Sequence, residues 1–363
     1  MTETVTARDG QMTSPATLAG RPAAGPASTV ALVGAGRAGG ALAVALAAAG
    51  HPVVAITGRD PGRAAALAGR VGARPVSTAL AAIRAADLTF LTVPDSAVTP
   101  VATSIAATGA DLRGRGIVHC SASLGIEAVA ALRSAGAAVG CLHPLQALAG
   151  AESAPLLRGA LFAIDADPVL AAPLRQIALD IGGVPVTLPG GARPLYHAAA
   201  VLAGNAPLAL VGAATELLVA AGLDPSTAEQ GLLALMEGAI ANARRLGSRQ
   251  ALTGPVERGD TATVARHLAA LKDRPDADAL YRAVAREIVR LAGAEGREQI
   301  TDMLDAKQQG DVGVRAERRF ATGAGRNRAE TRAPSAGQGD RTPGPARHTT
   351  PTSPLSPEDS TCP

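Results

Sequence analysis

The stretch from Thr29 to Gly50 confines this chain to a narrow set of folds. A short apolar run, Thr29–Val33, leads directly into Gly34-Ala35-Gly36-Arg37-Ala38-Gly39, and an Ala- and Leu-rich helix, Ala38–Ala49, follows and stops at Gly50. A second apolar run, Pro52–Ile56, begins about twenty residues after the first. This order of strand, glycine turn, helix and strand is how a phosphate-binding unit of a parallel sheet begins. The first glycine permits a tight turn, the second lets the backbone approach a pyrophosphate, and the third lets the helix pack close to the strand. Unpaired N–H groups and the helix dipole then favour an anion at the helix start.

The rest of the chain extends the pattern and then abandons it. After a helix around Arg63–Arg70, apolar runs recur at Leu88–Val93, Gly116–His119, Ala137–Leu142, Leu161–Asp165 and Val184–Leu188. Near-continuous apolar strands separated by helices predict a mostly parallel sheet covered on both faces. Past Gly190 the strand signal ends. Leu195–Ala221 reads as one long helix, Pro225 opens another to about Leu246, and a loop spans Ala251–Asp260. Further helices are expected around Thr261–Leu271, Ala277–Leu291 and Gln299–Ala306. The expected organisation is an α/β Rossmann domain over 28–189 and an all-α domain over 190–308. A leader (1–27), rich in Thr, Pro, Gly and Ala without periodicity, and a tail (309–363), rich in Arg, Pro, Gly and Thr with almost no apolar residues, are expected to be disordered.

Composition narrows the functional classes. Hydrophobic residues make up 47% of the chain and aromatics only 1%, so the core must be built from Ala, Val, Leu and Ile. No Lys/Arg stripe with interleaved aromatics is present, which argues against nucleic-acid binding by the folded part. Cys120, Cys141 and Cys362 form no CxxC pair, and Cys141-x-His143 offers only two ligands, so neither a disulfide framework nor a metal site is expected. The first 27 residues lack a signal-peptide pattern and no apolar run reaches the ~18 residues of a membrane span, so a cytoplasmic protein is expected.

The end of the second strand bears on the choice of dinucleotide. An NAD site usually has a carboxylate there for the ribose hydroxyls. Here Thr57-Gly58-Arg59 precedes any acid, with Asp60 next, where it also suits the cap of the following helix. A guanidinium at Arg59, with the Thr57 hydroxyl and Arg37 nearby, fits a 2′-phosphate and therefore NADP. Val93-Pro94-Asp95 ends the next central strand at the carboxyl edge where ligands bind in such sheets. Pro94 would keep the backbone open beside a nicotinamide, while Asp95 or Ser96 suits equally the cap of the next helix.

Several segments carry a family resemblance: GAGRAGGAL at 34–42, VPDSAV at 93–98, HCSAS at 119–123, HPLQAL at 143–148, YHAAAVLAGN at 196–205 and ALTGPVERGDTATVARHL at 251–268. On these, the chain resembles the two-domain reductases related to 6-phosphogluconate and 3-hydroxyisobutyrate dehydrogenases, ketopantoate reductase and pyrroline-5-carboxylate reductase. It is most similar to Rossmann-like proteins carrying the C-terminal domain of unknown function 2520. The resemblance implies a helical domain of the 6-phosphogluconate dehydrogenase type, a homodimer and an NADP-linked reductase acting on a small carboxylate-bearing substrate.

The resemblance also nominates residues. A serine in the loop corresponding to the one after Gly116–His119 holds the substrate carboxylate in the related dehydrogenases, which points to Ser121 and Ser123; a turn serine bonded to its own backbone is the alternative. On the long helix those enzymes carry a catalytic Lys and an Asn; here His197, Val201 and Asn205 stand at i, i+4 and i+8. His replaces Lys, and an imidazole of unperturbed pKa ~6.5 can protonate a developing alkoxide near neutrality. Asn205 would orient the substrate, and Thr253 and Arg258 would contact its carboxylate. Asp260 suits the cap of the helix at Thr261, and His143 would line the same cleft or serve structure. The expected reaction is hydride transfer from NADPH to a 2-oxo acid, ketopantoate first, with cyclic imine reduction or a non-catalytic NADP sensor as alternatives.

Overall fold

Alternation along the strands builds the first unit from both sides of one sheet. In β1 (Val30–Val33), Val30 and Leu32 join one apolar layer and Ala31 and Val33 the other, all essentially buried. The computed structural model describes residues 28–189 and 191–306; the expected leader and tail lie outside the described residues. Eight strands form one sheet in the order β3-β2-β1-β4-β5-β6-β7-β8, with β2 (Val53–Thr57), β3 (Arg74–Pro75), β4 (Leu88–Leu91), β5 (Gly116–His119), β6 (Ala138–Pro144), β7 (Leu161–Ala166) and β8 (Val184–Thr187). The two-residue β3 and the helix α3 (Ala79–Ala85) had no sequence signal of their own.

Helices cover each face. α1 (Arg37–Ala48), α2 (Pro61–Val71) and α5 (Pro168–Asp180) supply Leu42, Leu46, Leu67, Leu174 and Ile177 to one layer. α3, α4 (Asp95–Ala106) and a 3₁₀ segment, Ile126–Ala135, supply Ile83, Val98, Ile105, Val129 and Leu132 to the other. With aromatics scarce, Phe90 and Phe162 are the bulkiest fully buried side chains, and Ala, Val, Leu and Ile fill the rest. The sheet is parallel from β3 to β6, but β7 runs antiparallel to β6. The link from Pro144 to Leu161 holds only a 3₁₀ turn, Ala151–Leu157, so β7 returns beside β6 without a helical crossover. α5 then provides the crossover that makes β8 parallel to β7.

Beyond β8 come α6 (Arg193–Gly204), α7 (Ala206–Ala220) and α8 (Pro225–Leu246). The single helix expected over Leu195–Ala221 is thus two, broken at Asn205. Pro207 explains the break, because it cannot donate to the carbonyl four residues back and its ring crowds that carbonyl. Among the described residues one helical stretch, Arg193–Ala220, is long and apolar enough to cross a membrane, with a mean hydropathy of 1.5 and 6% of that window buried.

Contacts divide the chain into two units, the first running to Ile240 and the second from Ala241. In the second, α9 (Pro255–Arg258) interrupts the loop expected over Ala251–Asp260, followed by α10 (Thr261–Ala270), α11 (Pro275–Ala292) and α12 (298–306). Its core is Val256, Val264, Ala285, Val289, Ile300 and Leu304.

Candidate active site

The strand order reverses between β1 and β4, and the glycine turn sits at the carboxyl ends of those two strands. Gly34 has φ +121°, a conformation that L side chains rarely adopt, and its carbonyl accepts a 2.7 Å hydrogen bond from Thr92 Oγ1. A Cβ on Gly39 would run into that same carbonyl and lie 2.6 Å from Thr92 Oγ1. Gly36 differs: a Cβ there would meet nothing within 4 Å. As the N-cap of α1 it has no side chain bonded to the first-turn amides, and the turn carries no acid. This is the open, electropositive cradle a pyrophosphate requires. Arg37 and Ala38 form the first turn of α1, with Arg37 exposed.

A cavity of about 480 Å³ extends from this turn along the ends of β2 and β4. Gly34, Gly36, Thr57, Arg59, Val93 and Pro94 line it, as expected from the sequence. Arg63 and Ser77 line it too and were missed. Arg63 looked like an ordinary helix residue, and the two-residue β3 gave no signal to place Ser77 at the sheet edge. Asp60 is a helix cap: its Oδ1 accepts from the Arg63 amide at 3.1 Å, and its other oxygen lies 3.3 Å from Arg63 Nε. The cavity wall therefore presents Arg59, Arg63, Thr57 and Ser77 where the adenosine ribose would lie, with the Asp60 carboxylate paired to Arg63. These donors suit a 2′-phosphate, so the residues fit NADP.

At the ends of β4, β5 and β6 the polar groups are already connected. Asp95 opens α4 but caps nothing; its Oδ2 accepts from Ser123 Oγ at 2.6 Å. Ser121 is buried, and its Oγ accepts from the amides of Ser123 (3.2 Å) and Leu124 (3.1 Å), the turn arrangement weighed as the alternative. Ser123 is the exposed member of the pair. His119 is fully buried between the Gly125 carbonyl (3.0 Å) and the Ser121 amide (3.3 Å), and burial lowers its pKa. Burial also raises the thiols of Cys120 and Cys141, the latter to about 12, so both stay neutral.

α6 closes this edge. Its Tyr196 hydroxyl shares a 2.8 Å hydrogen bond with His143 Nδ1, and the two rings meet edge to face at 5.5 Å. Burial, aided by the Arg193 charge, brings His143 down to about 4, whereas burial pushes the Tyr196 phenol up to about 12. Near neutral pH the pair is therefore an uncharged imidazole and an intact phenol. Tyr196 was not singled out from sequence, though the residue beside it was. His197 is half-buried within Coulombic reach of His143. The expected stripe ends there: Val201 and Asn205 are exposed, and Asn205 stands at the helix break.

In the second unit Thr253 and Arg258 are exposed, Arg258 ending α9. Asp260 caps α10, accepting from the Thr263 amide at 3.0 Å and the Thr263 hydroxyl at 2.7 Å. His267 Nδ1 shares a 2.9 Å hydrogen bond with Tyr281.

The sheet order, the glycine turn at its reversal point and the basic cavity beside it define a dinucleotide-binding oxidoreductase fold with an appended helical region. Residues 29–123 match the family model described as NADP oxidoreductase, coenzyme F420-dependent, and residues 160–288 match a domain of unknown function, DUF2520. The chain thus joins an NADP-binding Rossmann domain to a DUF2520 domain, and it is an NADP-dependent oxidoreductase. Among solved structures it is similar to a protein of Bacteroides fragilis provisionally described as an NADP oxidoreductase (TM-score 0.59, 25% identity, covering 72% of this chain and 98% of that one). It is also similar to a Thermotoga maritima protein (TM-score 0.57, 25% identity, 74% and 99%). The pyrroline-5-carboxylate reductase of Streptococcus pyogenes shares the fold (TM-score 0.52, 14% identity, 73% and 98%). No curated protein sequence matches the chain.

Proposed function

We propose that this protein is an NADPH-dependent reductase of a small carboxylate-bearing compound with a C=O or C=N bond. The observation that carries the reading is the meeting of the glycine cradle and basic cavity with the Asp95–Ser123 and His143–Tyr196 pairs at one edge of one sheet. NADPH, when bound, supplies the hydride. The chain's own residues position: Val93 and Pro94 line the cavity from the end of β4, and Ser123, Asp95 and Tyr196 offer hydroxyl and carboxylate groups beside it. His197 is the proton donor for a carbonyl substrate, in the place where related dehydrogenases carry Lys.

A cyclic imine is the reading we put first. Reducing a carbonyl demands a proton on oxygen as hydride arrives. Yet His143 is uncharged above about pH 4 and Tyr196 holds its proton to about 12. A protonated imine is already activated and asks less of these groups. Ketopantoate is the carbonyl substrate to set against it. The test is loss of NADPH absorbance with pyrroline-5-carboxylate, ketopantoate and other 2-oxo acids in parallel. The expected result is turnover of the imine that persists in His197→Ala, with any turnover of the oxo acids lost in that variant. Tight NADPH binding with no turnover across the panel would overturn the reductase reading in favour of a sensor.

The same reading makes the chain a cytoplasmic homodimer. Support comes from α6 to α8, where Leu195, Leu202, Leu208 and Leu235 are 79%, 71%, 62% and 70% exposed. Helices apolar over several faces require cover, and a second copy provides it symmetrically.

A further inference from the structure

Arg193 is a buried cation without adequate partners, placed among the groups of the candidate site. Its side chain is only 11% exposed. Both terminal nitrogens, Nη1 and Nη2, are shielded from solvent and make no well-formed hydrogen bond; the neutral Cys141 thiol, a weak partner, is the polar group beside them. The nearest acid, Asp165, is 3.7 Å from Nη2, beyond hydrogen-bond length, and is itself 45% exposed. A guanidinium has five donors in a fixed planar fork, and leaving them desolvated and unfilled is costly.

The register of the sheet explains how it comes to be there. Asp165 lies directly opposite Cys141 in the β6–β7 pair, so the two share a face, and His143, two residues on, shares it as well. Cys141 in turn pairs with His119 on β5. On α6, Arg193, Tyr196 and His197 stand at i, i+3 and i+4 and form one helical face. Tyr196 docks on His143 and Arg193 reaches Asp165, so that face lies against this patch.

We propose that Arg193 is the anion receptor of the site: its fork grips the substrate's carboxylate, displacing the weak contact to Asp165, and so sets the reducible carbon beside Tyr196 and His197. This rests on the reductase reading and deepens it, because it assigns the group that recognises the carboxylate of an oxo or imino acid. It also moves the carboxylate contact from Ser121, whose hydroxyl is committed to its own turn, to a residue the sequence did not single out. Arg193 directly precedes Pro194 at the helix start, and in sequence it looks like any arginine at the head of a helix.

The experiment is calorimetric titration of the full chain, saturated with NADP⁺, with pyrrole-2-carboxylate and with pyrrole-2-carboxamide. The carboxylate should bind at least about tenfold more tightly than the amide. Arg193→Gln should weaken it by roughly thirtyfold or more, while Asp165→Asn, which removes the competing acid, should tighten it. NADP⁺ affinity should be unchanged in both variants. If Arg193→Gln does not fold, Arg193→Lys keeps the charge but loses the fork and should bind the carboxylate less tightly than the parent. Equal binding of carboxylate and amide overturns the proposal. So does parallel weakening in Arg193→Gln and Asp165→Asn, the mark of a purely structural ion pair. Turnover separates the two readings: Arg193-dependent binding without NADPH oxidation on any substrate retains the subsite and removes the reductase. Reduction of 1-pyrroline as fast as of its carboxylate, with Arg193→Gln unaffected, does the reverse.

Discussion

Neighbouring glycines in the phosphate turn do different jobs, and substitution separates them. Gly39→Ala puts a methyl against the Gly34 carbonyl and Thr92. Overpacking of this kind costs ~1–3 kcal/mol, so a lower melting temperature is expected even without nucleotide. Gly36→Ala meets nothing within 4 Å among the described residues, so melting should be unaltered while the methyl occupies the cradle and weakens NADPH by at least about tenfold. Fluorescence titration and thermal denaturation of the two variants, run side by side, check both halves. Arg59→Asp should shift preference from NADP toward NAD, read as the ratio of the two dissociation constants. His143 links the site to pH. The unfolded chain takes up a proton near 6.5, which the folded chain refuses until about 4. Stability should therefore fall as pH drops through that window and level off below it, by about 3 kcal/mol at most. Denaturant unfolding at pH 7, 5 and 4 (roughly spanning that window) should show the slope, and His143→Gln should reduce it, leaving the part that buried His119 contributes.

Among the elements, α6 decides the most. Its apolar composition announced a helix, but no local pattern marked which residue would face the sheet. Tyr196, rather than His197, makes the hydrogen bond to β6, because the helix start at Arg193 fixes the angular position of each residue after it. The break at Asn205 was legible in principle from Pro207. In the second unit α11 is tied to α12 by two arginines, Arg286 through Asp305 (2.8 Å) and the Leu304 carbonyl (2.7 Å), and Arg282 more deeply. Arg282 Nε lies 3.0 Å from Asp278, and Nη1 donates to the carbonyls of Met303 (2.7 Å) and Leu304 (2.9 Å), at the end of the described α12. The Arg282 and Asp278 side chains are 11% and 6% exposed. Breaking a buried pair by removing one partner costs ~3–5 kcal/mol. Arg282→Ala should accordingly raise hydrogen exchange across α11 and α12 while β1 to β6 stay protected.

At the scale of the whole molecule, the exposed leucines of α6 to α8 bear on assembly. Leu202→Glu and Leu235→Glu each place a charge in that surface, and sedimentation should show a dimer dissociation constant at least about tenfold larger than the parent's; a parent that sediments as a monomer would remove the proposed dimer. The sequence by itself determined the phosphate turn, the central strands and the cap at Asp260, because each is written in local rules. Glycine at a strained φ, continuous apolar runs and a carboxylate three residues ahead of a free amide act within one turn of chain. It also named Thr57, Arg59 and Pro94, which line one cavity because strand ends in a parallel sheet fall on one edge. Only the tertiary structure decided that β7 runs antiparallel, that Ser121 is spent on its own turn, and that Arg193, Tyr196 and His143 meet. Those facts depend on register between strands far apart in sequence and on the rotation of a helix about its axis. Neither is fixed by any local pattern, and both are settled by which buried groups find partners when the layers close.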